Sequence, residues 1–257
     1  MTISSRDNSF IKLVRLLRHR DHREAERAFV VEGRRAVTDA ISAGGTVRFL
    51  AVREGESVPP DFSDSNQTRV LDSKLFDFLS ETMSSQGILA VFETPSISIP
   101  DRAHPLCVIL DAISDPGNLG AIIRTSAAAG VDALFLGPNN VDWLNSKVVR
   151  AAMGAHFRVS IGLFNDDALA MIEARCPNRV LSDCRAKQAH DQVDWTAGTA
   201  LIIGSEAHGA SEKFRAFATT SAAIPMAGGV ESLNAAIAAG VMLFEAQRQR
   251  RQVASPG

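Results

Sequence analysis

Asn118, Arg124, Glu206, Ser232 and Asn234 are the polar residues whose settings suit them for chemistry. They fall in three segments where an apolar run meets a turn containing Gly or Pro. The first is Asp111-Ala-Ile-Ser-Asp-Pro-Gly-Asn-Leu-Gly-Ala-Ile-Ile-Arg, the pattern of a buried strand running through a turn into a helix. Ligands of open α/β sheets sit at such strand ends, and a helix N-terminus offers free N–H groups to an anion. Asn118 lies near the helix start, either as a cap or as a ligand group. Arg124 follows Ile123 and precedes a run of small residues, on a helix that reads as buried, where an unpaired guanidinium would be costly.

The second segment, Leu201-Ile-Ile-Gly-Ser-Glu-Ala-His-Gly, is an apolar strand followed by a Gly-flanked turn with the carboxylate of Glu206. Glycine there permits close backbone approach or a positive φ. Glu206 is either a surface glutamate or a site carboxylate, and His208 reads as incidental. In the third, Ala223-Ile-Pro-Met-Ala-Gly-Gly-Val-Glu-Ser-Leu-Asn, the residues Ser232 and Asn234 open a small-residue helix. Ile224, Met226 and Leu233 flank them, a mixture suited to a flat heteroaromatic ligand with a polar rim. The helix is also apolar enough to be core, and its alanines invite close packing on another helix.

Several chemistries are excluded. The glycines do not form G-x-G-x-x-G and no G-K-[ST] occurs, which disfavours a dinucleotide site or a P-loop. The chain contains no Tyr, so no tyrosine acts as acid, base or nucleophile. Cys107, Cys176 and Cys184 lack metal-ligand spacing. No metal is expected, and reduced thiols in a cytoplasm fit this usage. Cys107, inside the apolar run Leu106 to Leu110, reads as a packed core thiol.

The elements that must position these residues follow from periodicity. With 257 residues, 46% hydrophobic and 22% charged, the chain has globular composition and length for two domains. Short strands alternate with helices up to about residue 93, giving a small α/β domain: a strand at Phe29, a helix from Arg34, a strand from Val47, a helix at Ser73–Leu79 and a strand from Gly87. The segment from Thr94 to Pro105 carries three prolines and reads as a linker. Beyond it, strands at Leu106–Leu110, Ala133–Leu136, Arg179–Ser182 and Ala200–Ile203 are separated by helices. That pattern implies a mostly parallel sheet covered on both faces. The expected domains are residues 1–98 and 102–257. The charge-free stretch from Ser232 to Phe244 is too short to span a bilayer, and the N-terminus lacks a signal-peptide core.

Net charge is −2, from 27 Lys and Arg against 29 Asp and Glu, which excludes a histone-like polycation. Local patches still act within a Debye length of roughly 8–10 Å. Residues 4–35 hold nine cations against five acids, and Arg248, Arg250 and Arg251 cluster near the C-terminus. Ile11, Val14 and Leu17 repeat at helical spacing, so Lys12, Arg15 and Arg18 project from the other side, with Arg23 beyond. The face is either solvated and paired with Glu24 and Glu26, or a phosphate-contacting surface.

In order and spacing, Asn118 with Arg124, Gly204-x-Glu206-x-x-Gly209, and Ile224-Pro-Met through Glu231-Ser-Leu-Asn234 resemble the SpoU (TrmH-type) branch of the SPOUT superfamily, RNA 2′-O-ribose methyltransferases. Asn145-Ser-Lys-Val-Val-Arg-Ala-Ala-Met-Gly-Ala-His-Phe resembles the stretch ahead of the second motif. Ser5-Arg-Asp-Asn-Ser-Phe-Ile-Lys, Phe29-Val-Val-Glu-Gly and Ser85-Gln-Gly-Ile-Leu-Ala-Val are similar to the ribosomal-protein-like substrate-binding domain of many members. The resemblance implies S-adenosyl-L-methionine as donor, with Gly204, Ile224, Met226 and Leu233 around it. It implies catalytic or positioning roles for Asn118, Arg124, Glu206, Ser232 and Asn234, with Arg124 activating the ribose hydroxyl electrostatically and the others orienting it. RNA contact at Lys12, Arg15, Arg18 and Arg23, a trefoil knot and a homodimer are further implications. Structured RNA is the expected partner, ribosomal first and transfer RNA second. Ala207 stands where Gly is common, and Ala152 and Ala236 where Ser is common, which puts backbone freedom near Glu206 in question. A non-catalytic ribosome-assembly protein of the same fold and a nucleotide-dependent metabolic enzyme are the competing readings. The intact polar set opposes the first, and the absent phosphate loops oppose the second.

Overall fold

Apolar residues alternate along the strand Ile88–Glu93 (β5), and each face of that strand serves a different core. Ile88, Ala90 and Phe92 pack on one side with Phe29, Val37 and Leu50. Leu89 and Val91 pack on the other with Phe10, Ile11, Val14 and Phe76. This two-sided strand belongs to the first of two units in the computed structural model, which describes residues 2–59, 62, 67–82, 84–97 and 100–254. The first unit comprises residues up to Pro95 together with Asp142–Arg158, and the second comprises Ser96–Val141 and the chain from Val159 onward. Asp142–Arg158, which the sequence reading kept within residues 102–257, therefore groups with the N-terminal unit. Ser98, the expected end of the first domain, lies outside the described residues.

The first unit has a five-stranded mixed sheet. Its strands are β1 (Thr2–Ile3), β2 (Ala28–Glu32), β3 (Val47–Arg53), β4 (Thr68–Leu71) and β5, in the order β1-β4-β3-β5-β2. Helix α1 (Ser9–Leu16) starts where Asn8 accepts from the Phe10 N–H; Ile11, Val14 and the C-cap residue Leu17 are buried as the periodicity predicts, with Phe10 beside them. After α2 (Arg20–Glu26), α3 (Arg34–Ser42) and α4 (Ser73–Leu79), the unit is completed by α6 (Ser146–Ala152), which packs on β2. Leu144 and Val149 supply its part of the core.

Arg23 differs from the expectation of an RNA contact. It is 5% exposed, its Nε donates to Asp142 Oδ2 at 3.1 Å and its Nη1 to the Leu17 carbonyl at 2.7 Å. A guanidinium spent on internal partners is withdrawn from any phosphate, and Arg23 ties Asp142–Arg158 to the N-terminal helices.

His156 is 1% exposed, stacked on Trp143 with Phe29 tilted against it, and Nε2 is bonded to the Trp143 carbonyl at 2.8 Å. Its Nδ1 has no partner among the described residues. With Nε2 as the donor the ring is neutral, and charging Nδ1 would bury an unpaired cation. Burial lowers the pKa from 6.5 to about 4, against weaker opposition from the Trp143 carbonyl and Asp142. The unfolded chain then binds the proton more readily than the folded one. Stability is complete above pH 6.5 and is lost as pH falls toward about 4, by about 3 kcal/mol in total. Denaturant titrations at pH 7, 5.5 and 4 should show this loss, and His156→Gln should flatten it; an equally steep decline in the variant would remove His156 as the cause.

The second unit is a seven-stranded sheet in which every pair is parallel. It contains β6 (Leu106–Leu110), β7 (Ala133–Leu136), β8 (Ser160–Leu163), β9 (Asn178–Ser182), β10 (Gln188–Ala189), β11 (Thr199–Ile203) and β12 (Thr220–Ala223), in the order β10-β12-β9-β11-β6-β7-β8. Helices α5 (Pro116–Ala128), α7 (Asp166–Arg175), α8 (Glu212–Phe217) and α9 (Ala235–Ala254) join these strands or follow the last of them. The alanine-rich α9 packs on α5, and Gly240 faces the Thr125 methyl. Cys107 is fully buried, and its hydrogen bond to Cys176 together with burial raises its pKa, as suits a core thiol. Arg250, read in sequence as part of a basic cluster, donates instead to the carbonyls of His104, Pro105, Trp195 and Ala197. Among the described residues no helix is long and apolar enough to cross a membrane.

Candidate active site

Strands β12, β9, β11 and β6 are consecutive neighbours and all parallel, so their carboxyl ends lie along one edge. From β6 the chain proceeds through β7 and β8 on one side, then returns to β9 on the other. That reversal opens a crevice, the place where open parallel sheets bind ligands. The segments after β6, β9, β11 and β12 all emerge there, and the three motif segments of the sequence are among them.

Asp115 caps α5: its side chain accepts from the Asn118 N–H at 2.8 Å, and Pro116 occupies the first turn. Asn118 is thus inside the helix rather than its cap, and its side chain is free to act elsewhere. Its Nδ2 donates to Glu206 Oε1 at 2.6 Å. Asn234 Nδ2 donates to the same oxygen and to Asn118 Oδ1, each at 2.9 Å, and the Ala235 N–H reaches Oε1 at 3.3 Å. The other end of Asn234 caps α9, accepting from the N–H groups of Ala236 and Ile237. One carboxylate oxygen of Glu206 therefore receives two side-chain amides and the N-terminus of α9, brought to it by two other segments of the chain.

The turn presenting Glu206 depends on its glycines. Ser205 and Gly209 exchange backbone hydrogen bonds, and a Cβ on Gly204 would stand 2.1 Å from the Ala210 nitrogen. Gly209 has φ +68°. Ala207 is not among the positive-φ residues, so alanine is accommodated there without left-handed strain. Buried Asp111, at the end of β6, accepts from the Ser211 N–H at 2.6 Å and anchors the far side of the turn.

Beside this cluster is a cavity of about 330 Å³, within the size range of small-molecule sites. Gly204, Ile224, Met226 and Leu233 all line it, as do Glu206 and Ser232. Among the described residues Ser232 has no hydrogen-bond partner. Arg124 is not brought in: it is exposed, has no internal partner among the described residues and does not line the cavity. The expectation that it lies in a buried setting is corrected, because the buried positions of α5 are Leu119, Gly120, Ile122, Ile123 and Ser126. Asn118, Glu206 and Asn234 orient one another rather than the guanidinium. Sequence reasoning missed Asp115, although Asp before Pro-Gly is a helix-start signal, and it missed Asp111, whose partner is distant in sequence.

On the basic face, Lys12 pairs loosely with Asp7, Arg15 lies over the Phe78 ring and Arg18 pairs with Glu81. Glu24 pairs with Arg20 and Glu26 with Arg48, so neither acid neutralises the exposed side of α1.

Residues 105–244 match the SpoU rRNA Methylase family, and residues 8–90 match the MRM3-like substrate binding domain. The chain is 33% identical to a mitochondrial rRNA methyltransferase 3B of Danio rerio, over 95% of this chain and 70% of that protein. It is 29% identical to the 23S rRNA (guanosine(2553)-2′-O)-methyltransferase RlmP of Bacillus subtilis, over 94% of this chain and 97% of the relative. An AdoMet-bound rRNA methyltransferase from Sinorhizobium meliloti superposes with a TM-score of 0.83 at 30% identity, covering 96% of this chain and 97% of that one. The parallel sheet, the motif-bearing loops and these matches agree: the chain belongs to the SpoU family of methyltransferases.

Proposed function

We propose that this protein transfers a methyl group from S-adenosyl-L-methionine to a ribose 2′-oxygen of ribosomal RNA. The observation that carries the reading is the convergence of Asn118, Asn234 and the α9 N-terminus on Glu206 at the edge of the cavity. The cavity fits the donor: Gly204, Ile224, Met226 and Leu233 would hold it. When bound, it supplies a methyl carbon activated by a neighbouring sulfonium. The protein's part is placement and charge. Glu206, Asn118 and Asn234 fix the polar rim, Ser232 offers a hydroxyl to the ribose, and Arg124 directs its free N–H donors at the 2′-oxygen or the adjoining phosphate. A permanently protonated guanidinium stabilises alkoxide character without accepting the proton, which passes to water as the oxygen–carbon bond forms and the carbon–sulfur bond breaks. Ribosomal rather than transfer RNA is favoured by the names of the Danio and Bacillus relatives. Incorporation of labelled methyl into ribosomal RNA tests this, and incorporation into transfer RNA alone would redirect it.

Lys12, Arg15 and Arg18 form the phosphate-contacting face. Replacing all three with Ala should reduce the slope of log K against log salt by roughly 2 to 3, since each phosphate contact contributes about 0.7–0.9; an unchanged slope would contradict the assignment. The protein works as a homodimer. Ile237, Val241 and Phe244 form a row on α9 at i, i+4 and i+7, each at least 37% exposed, and a second copy would cover it. Sedimentation should show a dimer that Phe244→Asp converts to monomer; a monomeric wild type would exclude it. The unpaired cysteines fit a cytoplasmic setting, which cell fractionation checks.

A further inference from the structure

One stretch of the cavity wall carries three charged residues, Asp183, Arg185 and Arg215, that lie outside the three motifs. Asp183 follows β9, and its side chain is only 15% exposed. Oδ1 accepts from the Arg185 N–H at 3.0 Å and from Arg185 Nε at 3.3 Å; Oδ2 accepts from Arg215 Nη1 at 2.9 Å. Arg215 Nε donates to the Ala210 carbonyl at 2.9 Å, which ties the array to the turn that carries Glu206. Asp183, Arg185 and Arg215 all line the cavity. Burial works against the charge on Asp183, but the Arg185 N–H and both guanidinium groups outweigh it and keep the pKa below the usual carboxylate range.

The array has capacity left over. Neither guanidinium has spent its full set of five N–H donors, and each carboxylate oxygen has a further lone pair. Within the array two cations stand against one anion, while the other acids of the cavity, Glu206 and Glu231, belong to the motif segments. A ligand that satisfies this wall presents a carboxylate to the guanidinium donors and, next to it, an ammonium to Asp183, which is the zwitterion of an α-amino acid. The apolar wall at Ile224, Met226 and Leu233 leaves the flat base to be bound separately. We propose that Asp183, Arg185 and Arg215 bind the α-amino-acid end of the methyl donor. This rests on the donor reading given above.

Calorimetry on the full chain without RNA tests it, using S-adenosylhomocysteine and 5′-methylthioadenosine. The second ligand keeps the adenosine and the thioether but lacks the amino-acid end. Arg185→Ala, at a 74% exposed side chain, leaves the fold intact, and Asp183→Asn keeps the shape of the carboxylate. Each variant should weaken S-adenosylhomocysteine about tenfold, the scale of one charge-assisted hydrogen bond, and leave 5′-methylthioadenosine within about twofold. Equal losses on both ligands would make the array pocket scaffolding, and no loss on either would assign it to another ligand; each overturns the proposal while the donor reading stands. Failure of the wild-type protein to bind either nucleoside would overturn the donor reading and this proposal with it.

Discussion

Arg124→Ala is expected to lower turnover by about a thousandfold while donor affinity stays within a few-fold. Removing one preorganised donor to a developing oxyanion costs on the order of 10²–10³ in rate. Arg124 also carries the full charge, which supports the upper end. The donor should bind normally because Arg124 neither lines the cavity nor bonds any residue that does. Its exposure and lack of an internal partner mean that the substitution breaks no internal ion pair, so the folded state should melt as before. Arg124→Lys should recover only part of the rate, since the ammonium keeps charge but loses the planar fork. Single-turnover rates with saturating RNA, together with donor titrations, separate these effects. Unchanged turnover in Arg124→Ala would remove it from the mechanism.

Glu206→Gln should reduce turnover by about a hundredfold with modest effects on thermal stability. Oε1 receives Asn118, Asn234 and the Ala235 N–H together, and charge-assisted bonds of this kind are roughly twice as strong as neutral ones. Glutamine retains one acceptor oxygen but not the charge, and loosening the two amides frees the rim of the site. Asn234→Ala should behave differently. It also removes the α9 cap, so it should cost about 1 kcal/mol of stability in addition to activity. Full activity in Glu206→Gln would reduce the three-way contact to a structural clasp.

Glu206 and Asn234 stand out in the sequence for a local reason, whereas Arg124 stands out for a buried setting that the fold does not give it. Glu206 sits between glycines that only a tight turn explains, and Asn234 precedes a helix it can cap. Ile11, Val14 and Leu17 were legible for the same kind of reason, because helical periodicity is written in neighbouring residues. What was not legible depends on distant partners. Leu144, Val149 and Trp143 have the pattern of an ordinary helix and turn, and nothing local says that they cover Phe29 and Phe92 in the first unit. Arg23 looked like its neighbours Arg18 and Arg20 until Asp142 was placed against it. The strand Thr68–Leu71 carries little local signal, because Thr-Arg-Val-Leu is short and its pairing to β3 is set elsewhere. Asp183 and Arg215 carry no motif, and only the sheet order brings them to one wall.

The claim that the modified atom is a ribose 2′-oxygen has a direct chemical test. Ribosomal RNA from a strain lacking the protein is incubated with the enzyme and S-adenosyl-L-methionine, then hydrolysed in alkali. A 2′-O-methyl group removes the hydroxyl that attacks the adjoining phosphate, so the linkage survives. A new alkali-resistant linkage at a defined nucleotide, absent with Arg124→Ala, is the predicted result; methylation of a base with no resistant linkage would contradict it.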